Sequence, residues 1–420
     1  MRIENEPERQ IVSQSDILIV GASYTGLAAA LALRHMLGDD VVISVADQSA
    51  PIIAAASDPR CFALSAGSRL LLEALKVWPD VDRHAQDVSQ ITVTDTPLDA
   101  AVRPVLLRYD NHLESGAVAS SIVPGAVLLN ALWNAVQRHP SIQFVDKATV
   151  VEIDSGDAGR AGVVLADGRQ LSASLLIAAD GRQSTVRRLA GIKTTDCNHL
   201  QTGIVATVRH SKPHQGCATQ HFLPAGPFAI LPLVGDRSCL TWTEDTDIAA
   251  TIMAMDDDDF LDEVRRRMAG RLGEVSLEGT RSSFPLTTHL ARQFIGPRLA
   301  LVGDAAHGVH PIAGQGLNLA MRDVAALAER VSEARRVGLE LGDRTTLEAY
   351  EGWRRFDSTL STGVFVGLNR LFSKEGALLR SMRGAGLGLV DHLPDLKRRL
   401  VEEAAGLAGD VPGLMREKAS

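Results

Sequence analysis

The chain has 420 residues, of which 45% are hydrophobic and 22% are charged, and its formal net charge is −8 at pH 7. This composition is typical of a globular protein with a substantial core, and the length suits two or three domains. The negative charge argues against wholesale binding to nucleic acid, so we expect no nucleic-acid partner.

The amino-terminal residues are charged and lack the apolar core of a signal peptide, and no apolar run reaches the length of a membrane span. The four cysteines, at positions 61, 197, 217 and 239, show no closely spaced pair. We therefore expect neither a disulfide framework nor a zinc site.

Residues 16–47 read as the start of a dinucleotide-binding βαβ unit, in the order strand, turn, helix, strand. Gly21 and Gly26 bound the turn, but Ser23 stands where the middle glycine of the pattern would approach a pyrophosphate. The Ser23 hydroxyl either donates to phosphate or adds bulk that weakens binding. Asp47 follows about 20 residues after Gly26, the spacing of a carboxylate on an adenosine ribose. A structural turn without phosphate is the alternative.

Residues 298–302 form a second apolar run of strand length, which ends at Gly303 and Asp304. Open α/β sheets bind ligands at the carboxyl ends of their strands. Asp304 is therefore predicted to accept hydrogen bonds from sugar or ribityl hydroxyls, with a helix N-cap or a solvated loop carboxylate as alternatives.

Gly314 and Gly316 precede a helical run that opens with Leu317 and Asn318. Bare backbone N–H groups and the positive end of a helix dipole can approach an anion or an electron-rich ring there. These residues are predicted to bind the cofactor. His307 and His310 match no metal-binding pattern, and the acidic run 256–259 is interpreted as a helix start, so no metal is expected.

Residues 16–47 and 297–323 resemble the two flavin fingerprints of single-component FAD aromatic hydroxylases, the para-hydroxybenzoate hydroxylase-like flavoproteins. Residues 176–187 resemble a third family motif that stands between them. The resemblance implies that Asp180 lies near FAD and that Arg182 and Arg187 supply positive charge near the nicotinamide donor. A surface strand-to-helix connection is the alternative for the two arginines.

Further segments resemble the ubiquinone-biosynthesis branch of that family, among them residues 58–65, 222–233 and 310–316 and two stretches of the carboxyl-terminal region. Arg60, in the first of them, is carried over as a cofactor-binding residue. The family usually has an arginine where this chain has Ala126, so that FAD contact is either absent or supplied by another residue.

The resemblance implies an FAD-dependent monooxygenase that hydroxylates the aromatic ring of a polyprenylated phenol or quinone precursor of ubiquinone. NADPH or NADH would be the electron donor and O2 the cosubstrate, through a flavin hydroperoxide. An FAD-dependent reductase or dehydrogenase, a hydroxylase of a soluble aromatic compound and a non-catalytic flavin protein are the alternatives. No catalytic acid or base is identified. An apolar pocket is expected, with core or sheet-surface packing as the alternative for its candidate residues, which are His221, Phe222, Phe228, Leu231, Pro232, Trp242 and Pro311.

The motif order predicts an α/β fold: a Rossmann-like FAD-binding domain with an inserted β-rich substrate domain and C-terminal helices. The predicted ranges are 16–86, 116–190 and 290–345 for the discontinuous FAD-binding domain, 87–115 and 191–289 for the substrate domain, and 346–405 for the helical region.

A prenylated substrate resides in a bilayer, so the protein is expected to be cytoplasmic and either peripheral on the inner membrane face or associated with a ubiquinone-biosynthesis complex. Residues 364–405 combine apolar and basic side chains at helical spacing and are the candidate docking element. Helices packed on the FAD-binding domain, with a solvated basic face, are the alternative.

Overall fold

The computed structural model describes residues 11–51, 58–95, 98, 104–154, 159–309, 314–355, 398 and 401–417. The strands in these ranges are β1 (Ile11–Val20), β2 (Ile43–Ala46), β3 (Cys61–Ser65), β4 (Gln86–Asp87), β5 (Gln90–Asp95), β6 (Val105–Asp110), β7 (Ser120–Pro124), β8 (Ile142–Val145), β9 (Val150–Asp154), β10 (Ala161–Leu165), β11 (Gln170–Ala178), β12 (Thr194–His210), β13 (Cys217–Leu223), β14 (Gly226–Leu233), β15 (Arg237–Asp245), β16 (Val275–Ala291), β17 (Ile295–Gly296), β18 (Leu299–Leu301) and β19 (His307–Gly308). The helices are α1 (Tyr24–Leu37), α2 (Ala66–Ala74), α3 (Trp78–Val81), α4 (Gly125–Gln137), α5 (Thr185–Leu189), α6 (Thr246–Ala254), α7 (Asp257–Met268) and α8 (Gly316–Arg336).

The first sheet has the strand order β17-β18-β11-β1-β2-β8, with β10 and β9 attached to β11. Strands β18, β11, β1, β2 and β8 run parallel, and Ile17 of β1 lies beside Leu175 of β11 and Ile43 of β2. All three side chains are fully buried, as is typical of a parallel sheet covered on both faces. Helix α1 is apolar almost all round and packs against α4 and α8. This confirms the predicted Rossmann-like architecture.

The second sheet is mostly antiparallel, with the order β19-β16-β12-β15-β14-β13-β5-β6. Its strands come from the two ranges predicted for the substrate domain, together with β19, which the prediction placed in the FAD-binding domain. The long strands β12 and β16, of 17 residues each, carry the chain out of the first sheet and back to it.

The two faces of the second sheet have different neighbours. The outer face, defined by Phe228, Leu240 and Trp242, packs against α6 and α7. The inner face, defined by Val205, Leu231 and Cys239, packs against residues of β3 and β7. The inner face therefore lies toward β3, and Phe62 of β3 contacts the ring of Tyr24 at the start of α1.

Helix α7 begins as the acidic run predicts, because Asp256 caps it by accepting from the backbone N–H of Asp259 at 2.9 Å. In the region predicted to be helical after residue 345, residues 346–355 and 401–404 are helical, and most of the candidate docking element lies outside the described residues. None of the helices within the described ranges is long and apolar enough to cross a membrane.

Candidate cofactor site

The turn between β1 and α1 is closed by contacts that only glycine permits. Gly21 has φ +111°, and a Cβ on it would lie 2.3 Å from the carbonyl oxygen of Ala179. A Cβ on Gly26 would lie 1.8 Å from the carbonyl oxygen of Gly21. The turn thus places the amino end of α1 at the carboxyl edge of the parallel sheet, where backbone N–H groups favour an anion.

Ser23 is the N-cap of α1, yet its side chain makes no capping hydrogen bond and is exposed. A serine at this position ordinarily accepts from a backbone N–H of the first turn. The hydroxyl is therefore free of the usual local role and is positioned at the helix end where phosphate would bind.

We expect the Ser23→Gly variant to bind FAD more weakly, by about 1 kcal/mol, because one hydrogen bond to phosphate is lost. The measurement is the dissociation constant of FAD from the apoprotein, compared with that of the unmodified chain. Tighter binding by the variant would show that the serine only adds bulk.

Four predicted positions lie at the same edge of the first sheet because they follow neighbouring parallel strands. Asp304 comes after β18, Asp180 after β11, Gly21 after β1 and Asp47 after β2, and these strands are adjacent in that order. The structure therefore brings these positions together as the motif order predicts.

Asp47 already contacts the dinucleotide turn, since its carboxylate accepts hydrogen bonds from the backbone N–H groups of Ala22 and Gln48, each at 2.6 Å. A carboxylate has about four acceptor positions, so two remain for sugar hydroxyls. The predicted ribose contact stays a prediction.

Asp304 lies in a single helical turn that follows β18, and 44% of its side chain is exposed. One carboxylate oxygen is 3.7 Å from Nε of Arg182, which leaves most of the carboxylate open to a ligand. Val302, not Asp304, is the N-cap residue of this turn, so the N-cap alternative is wrong.

We expect Asp304→Ala to weaken FAD binding by about 1–3 kcal/mol through the loss of hydrogen bonds to ribityl or phosphate groups. The variant should fold as before, because the side chain is exposed. The FAD dissociation constant and the melting temperature of the apoprotein check both statements, and an unchanged constant would remove Asp304 from the site.

The segment after β11 supports the Asp304 turn. The Asp180 carboxylate accepts from the Ser184 hydroxyl at 2.5 Å and from the Val186 backbone N–H at 3.1 Å, so it fixes the start of α5. Arg187 donates to the carbonyl oxygen of Ala305 at 2.7 Å. Arg182 donates to the Thr287 hydroxyl at 2.9 Å.

These contacts give Asp180 and the two arginines a positioning role. His289 adds to it, because its Nε2–H donates to the carbonyl oxygen of Asp304 at 2.9 Å and burial lowers its pKa. The arginines are therefore more than a surface connection. Their predicted role near the nicotinamide donor stays a prediction.

Behind the Asp304 turn lies a fully buried ionic cluster that the sequence did not reveal. Asp323 of α8 accepts from Nε of Arg354 at 2.8 Å, from Nε2 of His307 at 2.6 Å and from the backbone N–H of Gly303 at 3.0 Å. The His307 ring is enclosed in this cluster, so its side chain does not line the cofactor site. His310 lies outside the described residues.

The amino end of α8 is joined to β3 by Asn318. Its side-chain oxygen accepts from the Ser65 backbone N–H at 3.0 Å and the Ser68 hydroxyl at 2.9 Å, and its amide donates to the carbonyl oxygen of Ala63 at 2.9 Å. Only backbone groups of Asn318 therefore remain for a cofactor. The prediction that Asn318 binds the cofactor stays a prediction, with its backbone as the available group.

Gly314, Gly316 and Leu317 form the rest of this helix start. Gly314 has φ +63°, whereas among the described residues a Cβ on Gly316 would meet only Val309, at an ordinary 3.6 Å. Leu317 packs into the main core, so it too offers only its backbone. No packing contact with the described part of the chain requires glycine at position 316.

The predicted pocket wall divides between the two faces of the second sheet. Alternation along the strands places Phe222 and Leu231 on the inner face. The others that the structure describes lie on the outer face, away from the cofactor site; they are His221, Phe228, Pro232 and Trp242. Pro311 lies outside the described residues.

Packing explains why these outer-face residues do not form the predicted wall. Trp242 contacts the ring of Phe228 edge-on, with centroids 5.8 Å apart, and lies under the guanidinium of Arg267. His221 Nδ1 is 2.5 Å from the Thr94 hydroxyl. Phe284, which the sequence analysis missed, packs instead with the inner face.

The residues present fit a flavin dinucleotide. The glycine turn brings the backbone at the amino end of α1 to the sheet edge, the Ser23 hydroxyl makes no cap, and the Asp304 carboxylate is largely open. Within the described part of the chain, no cluster of three or more His, Cys, Asp or Glu side chains could hold a metal ion.

Comparison with known proteins agrees with this geometry. Residues 14–356 match the family model described as FAD binding domain. The chain is 38% identical to ubiquinone hydroxylase UbiL of Rhodospirillum rubrum, over 96% of this chain and 92% of that protein. It is 31% identical to 3-demethoxyubiquinol 3-hydroxylase of Escherichia coli, over 94% and 99%. Among solved structures, p-nitrophenol 4-monooxygenase PnpA of Pseudomonas putida has the same fold, with a TM-score of 0.76 at 18% identity over 94% and 99% of the two chains.

Proposed function

This chain belongs to the FAD binding domain family, and from that membership we propose that it hydroxylates the aromatic ring of a polyprenylated phenol on the route to ubiquinone. The observation that carries the proposal is the 38% identity to a ubiquinone hydroxylase, which extends over 96% of the chain and so includes both sheets. The E. coli relative, with 31% identity, supports the same reaction class.

FAD, when bound, supplies the activation of O2 and is reduced by NADPH or NADH. The residues of this chain would bind and orient the cofactor. Ser23 and the amino end of α1 suit its diphosphate, Asp47 its ribose and Asp304 its ribityl chain. The ionic cluster of Asp323 holds the Asp304 turn from behind.

The substrate is proposed to lie against the inner face of the second sheet. Leu231 and Phe284 are partly buried there and pack beside the buried Val205, together with Ala63 of β3. Ala63 is tied to the amino end of α8 through Asn318. Such a surface excludes water, which protects reactive oxygen intermediates from side reactions. No acid or base is needed for this role, in keeping with the lack of an identified catalytic residue.

The proposal is tested by deleting the gene and identifying the prenylated intermediate that accumulates, by mass spectrometry. Accumulation of a precursor that lacks one ring hydroxyl supports it. Unchanged quinone levels would contradict it. An FAD-dependent reductase, the second candidate class, would consume NAD(P)H with its substrate under anaerobic conditions, and a hydroxylase would not turn over there.

We also propose that the protein collects its substrate at a membrane surface through residues 364–405. The support comes from the sequence pattern of apolar and basic residues. One basic residue of the region, Arg398, is described by the structure and lies 3.1 Å from Glu114. Charge reversal of Arg380, Arg383 and Lys397 should reduce sedimentation with anionic liposomes at low salt. Equal sedimentation of the charge-reversed variant and the unmodified chain would contradict membrane docking and favour a protein partner.

A further inference from the structure

Tyr24 is the first residue of α1, next to Ser23 in the dinucleotide turn. Only 7% of the residue is exposed, and its hydroxyl group is buried without a hydrogen-bond partner among the described residues. Burying a hydroxyl without a hydrogen-bond partner costs about 1–3 kcal/mol. Phenylalanine at this position would avoid that cost, so the presence of tyrosine needs an explanation.

The surroundings of the hydroxyl show where it points. The ring packs edge-on against Phe62, with centroids 4.9 Å apart. A Cβ on Gly125 would lie only 2.8 Å from the hydroxyl oxygen, so the glycine at the start of α4 leaves the space that this group occupies. The next residue, Ala126, is buried and brings no polar side chain to this place.

The electrostatic setting favours a neutral donor facing an anion. Burial raises the pKa of Tyr24 to about 12, although the nearby Arg60 guanidinium opposes this rise. The phenol therefore keeps its proton at physiological pH. Arg60 donates two parallel hydrogen bonds to Asp58, from Nε to Oδ1 at 2.8 Å and from Nη2 to Oδ2 at 2.7 Å. The amino end of α1 adds partial positive charge.

We propose that the Tyr24 hydroxyl donates a hydrogen bond to a diphosphate oxygen of FAD, beside the start of α4, where the family usually has an arginine and this chain has Ala126. The inference rests on the proposed function, because it takes FAD as the ligand. In the proposed contact, the Tyr24 hydroxyl is a donor to a charged acceptor. The chain then has a diphosphate contact in addition to the backbone of the glycine turn.

The test is the Tyr24→Phe variant, which removes one oxygen atom and keeps the ring against Phe62. Apoprotein of the variant and of the unmodified chain is titrated with FAD and, separately, with riboflavin, which has no phosphate. We expect the dissociation constant of FAD to rise roughly tenfold or more, as the loss of a hydrogen bond to a charged group implies. Riboflavin should bind both proteins alike.

The melting temperature of the apoprotein should be unchanged or higher in Tyr24→Phe, because a buried unsatisfied group is removed. Tyr109→Phe, a substitution of the same kind on β6 of the second sheet, is the matched control and should leave FAD affinity unchanged. Equal FAD affinity for Tyr24→Phe and the unmodified chain would overturn the inference, as would equal weakening of FAD and riboflavin. Failure of the unmodified chain to bind FAD would instead overturn the proposed function.

Discussion

Replacing Asp323 with alanine is expected to lower the free energy of unfolding by about 3–5 kcal/mol, the cost of removing one partner from a buried ion pair. The side chains of Asp323 and Arg354 are fully buried, with Nε of Arg354 2.8 Å from the carboxylate. The alanine variant leaves the guanidinium of Arg354 without this carboxylate and removes acceptors for His307 and Gly303. Urea unfolding followed by circular dichroism measures the change.

The matched control is Glu348→Ala, which breaks a second arginine–carboxylate pair. Glu348 lies 2.7 Å from Arg344, but both side chains are largely exposed. Exposed pairs contribute about 0–1 kcal/mol, so this variant should unfold almost as the unmodified chain does. A cost for Asp323→Ala as small as that of Glu348→Ala would show that the buried cluster is not important for stability.

The same cluster predicts a loss of stability in acid. Burial alone raises the pKa of Asp323, but its interactions with His307 and Arg354 outweigh burial and hold the pKa below the ordinary value. A carboxyl group with a depressed folded-state pKa stabilises the protein above its unfolded pKa of about 3.9, and the contribution is lost as the pH falls through the folded value. The difference in stability between the unmodified chain and Asp323→Ala should therefore shrink as the pH falls below about 4.

Gly316→Val is expected to weaken FAD binding at least 100-fold without a large loss of stability. The free protein has room for a Cβ at Gly316, 3.6 Å from Val309, so the variant should fold. A cofactor ring held against bare backbone would meet the new side chain. FAD affinity and the melting temperature of the apoprotein are the measurements.

Gly352→Val is the control for this substitution, because Gly352 also lies in a helical segment and a Cβ there meets no described residue within 4 Å. It should leave FAD affinity unchanged. If Gly316→Val binds FAD as tightly as Gly352→Val does, the start of α8 is not part of the cofactor site.

The strand and turn around Gly21 and the strand that leads to Asp304 could be predicted, because each is a local pattern of apolar run, glycine and acid. The face on which Phe228 and Trp242 lie could not. Neighbouring positions in a strand point to opposite faces, and which face α6 and α7 cover is decided by tertiary packing. From the sequence alone, an aromatic residue in a strand is therefore equally compatible with a pocket wall and with the core.

The buried contacts that support the site could not be predicted from the sequence either. Asp323 contacts His307 and Arg354, which stand at separations with no helical or strand period. Asn318 resembles a ligand residue beside a glycine-rich turn, but its contact with Ser65 depends on a fold that brings α8 to β3. Tyr24, by contrast, lies in the dinucleotide turn itself. A tyrosine hydroxyl at the start of an otherwise apolar helix is a feature of the sequence from which a polar contact can be predicted.

The most direct test of the central claim is the origin of the oxygen in the product. The purified protein is incubated with FAD, NAD(P)H, a prenylated phenol and isotopically labelled oxygen gas, and the product is analysed by mass spectrometry. The proposed hydroxylase predicts one labelled oxygen atom in a new ring hydroxyl, formed only when NAD(P)H and the phenol are both present. A product whose new oxygen comes from water, or oxidation of NAD(P)H that leaves the ring unchanged, would contradict it.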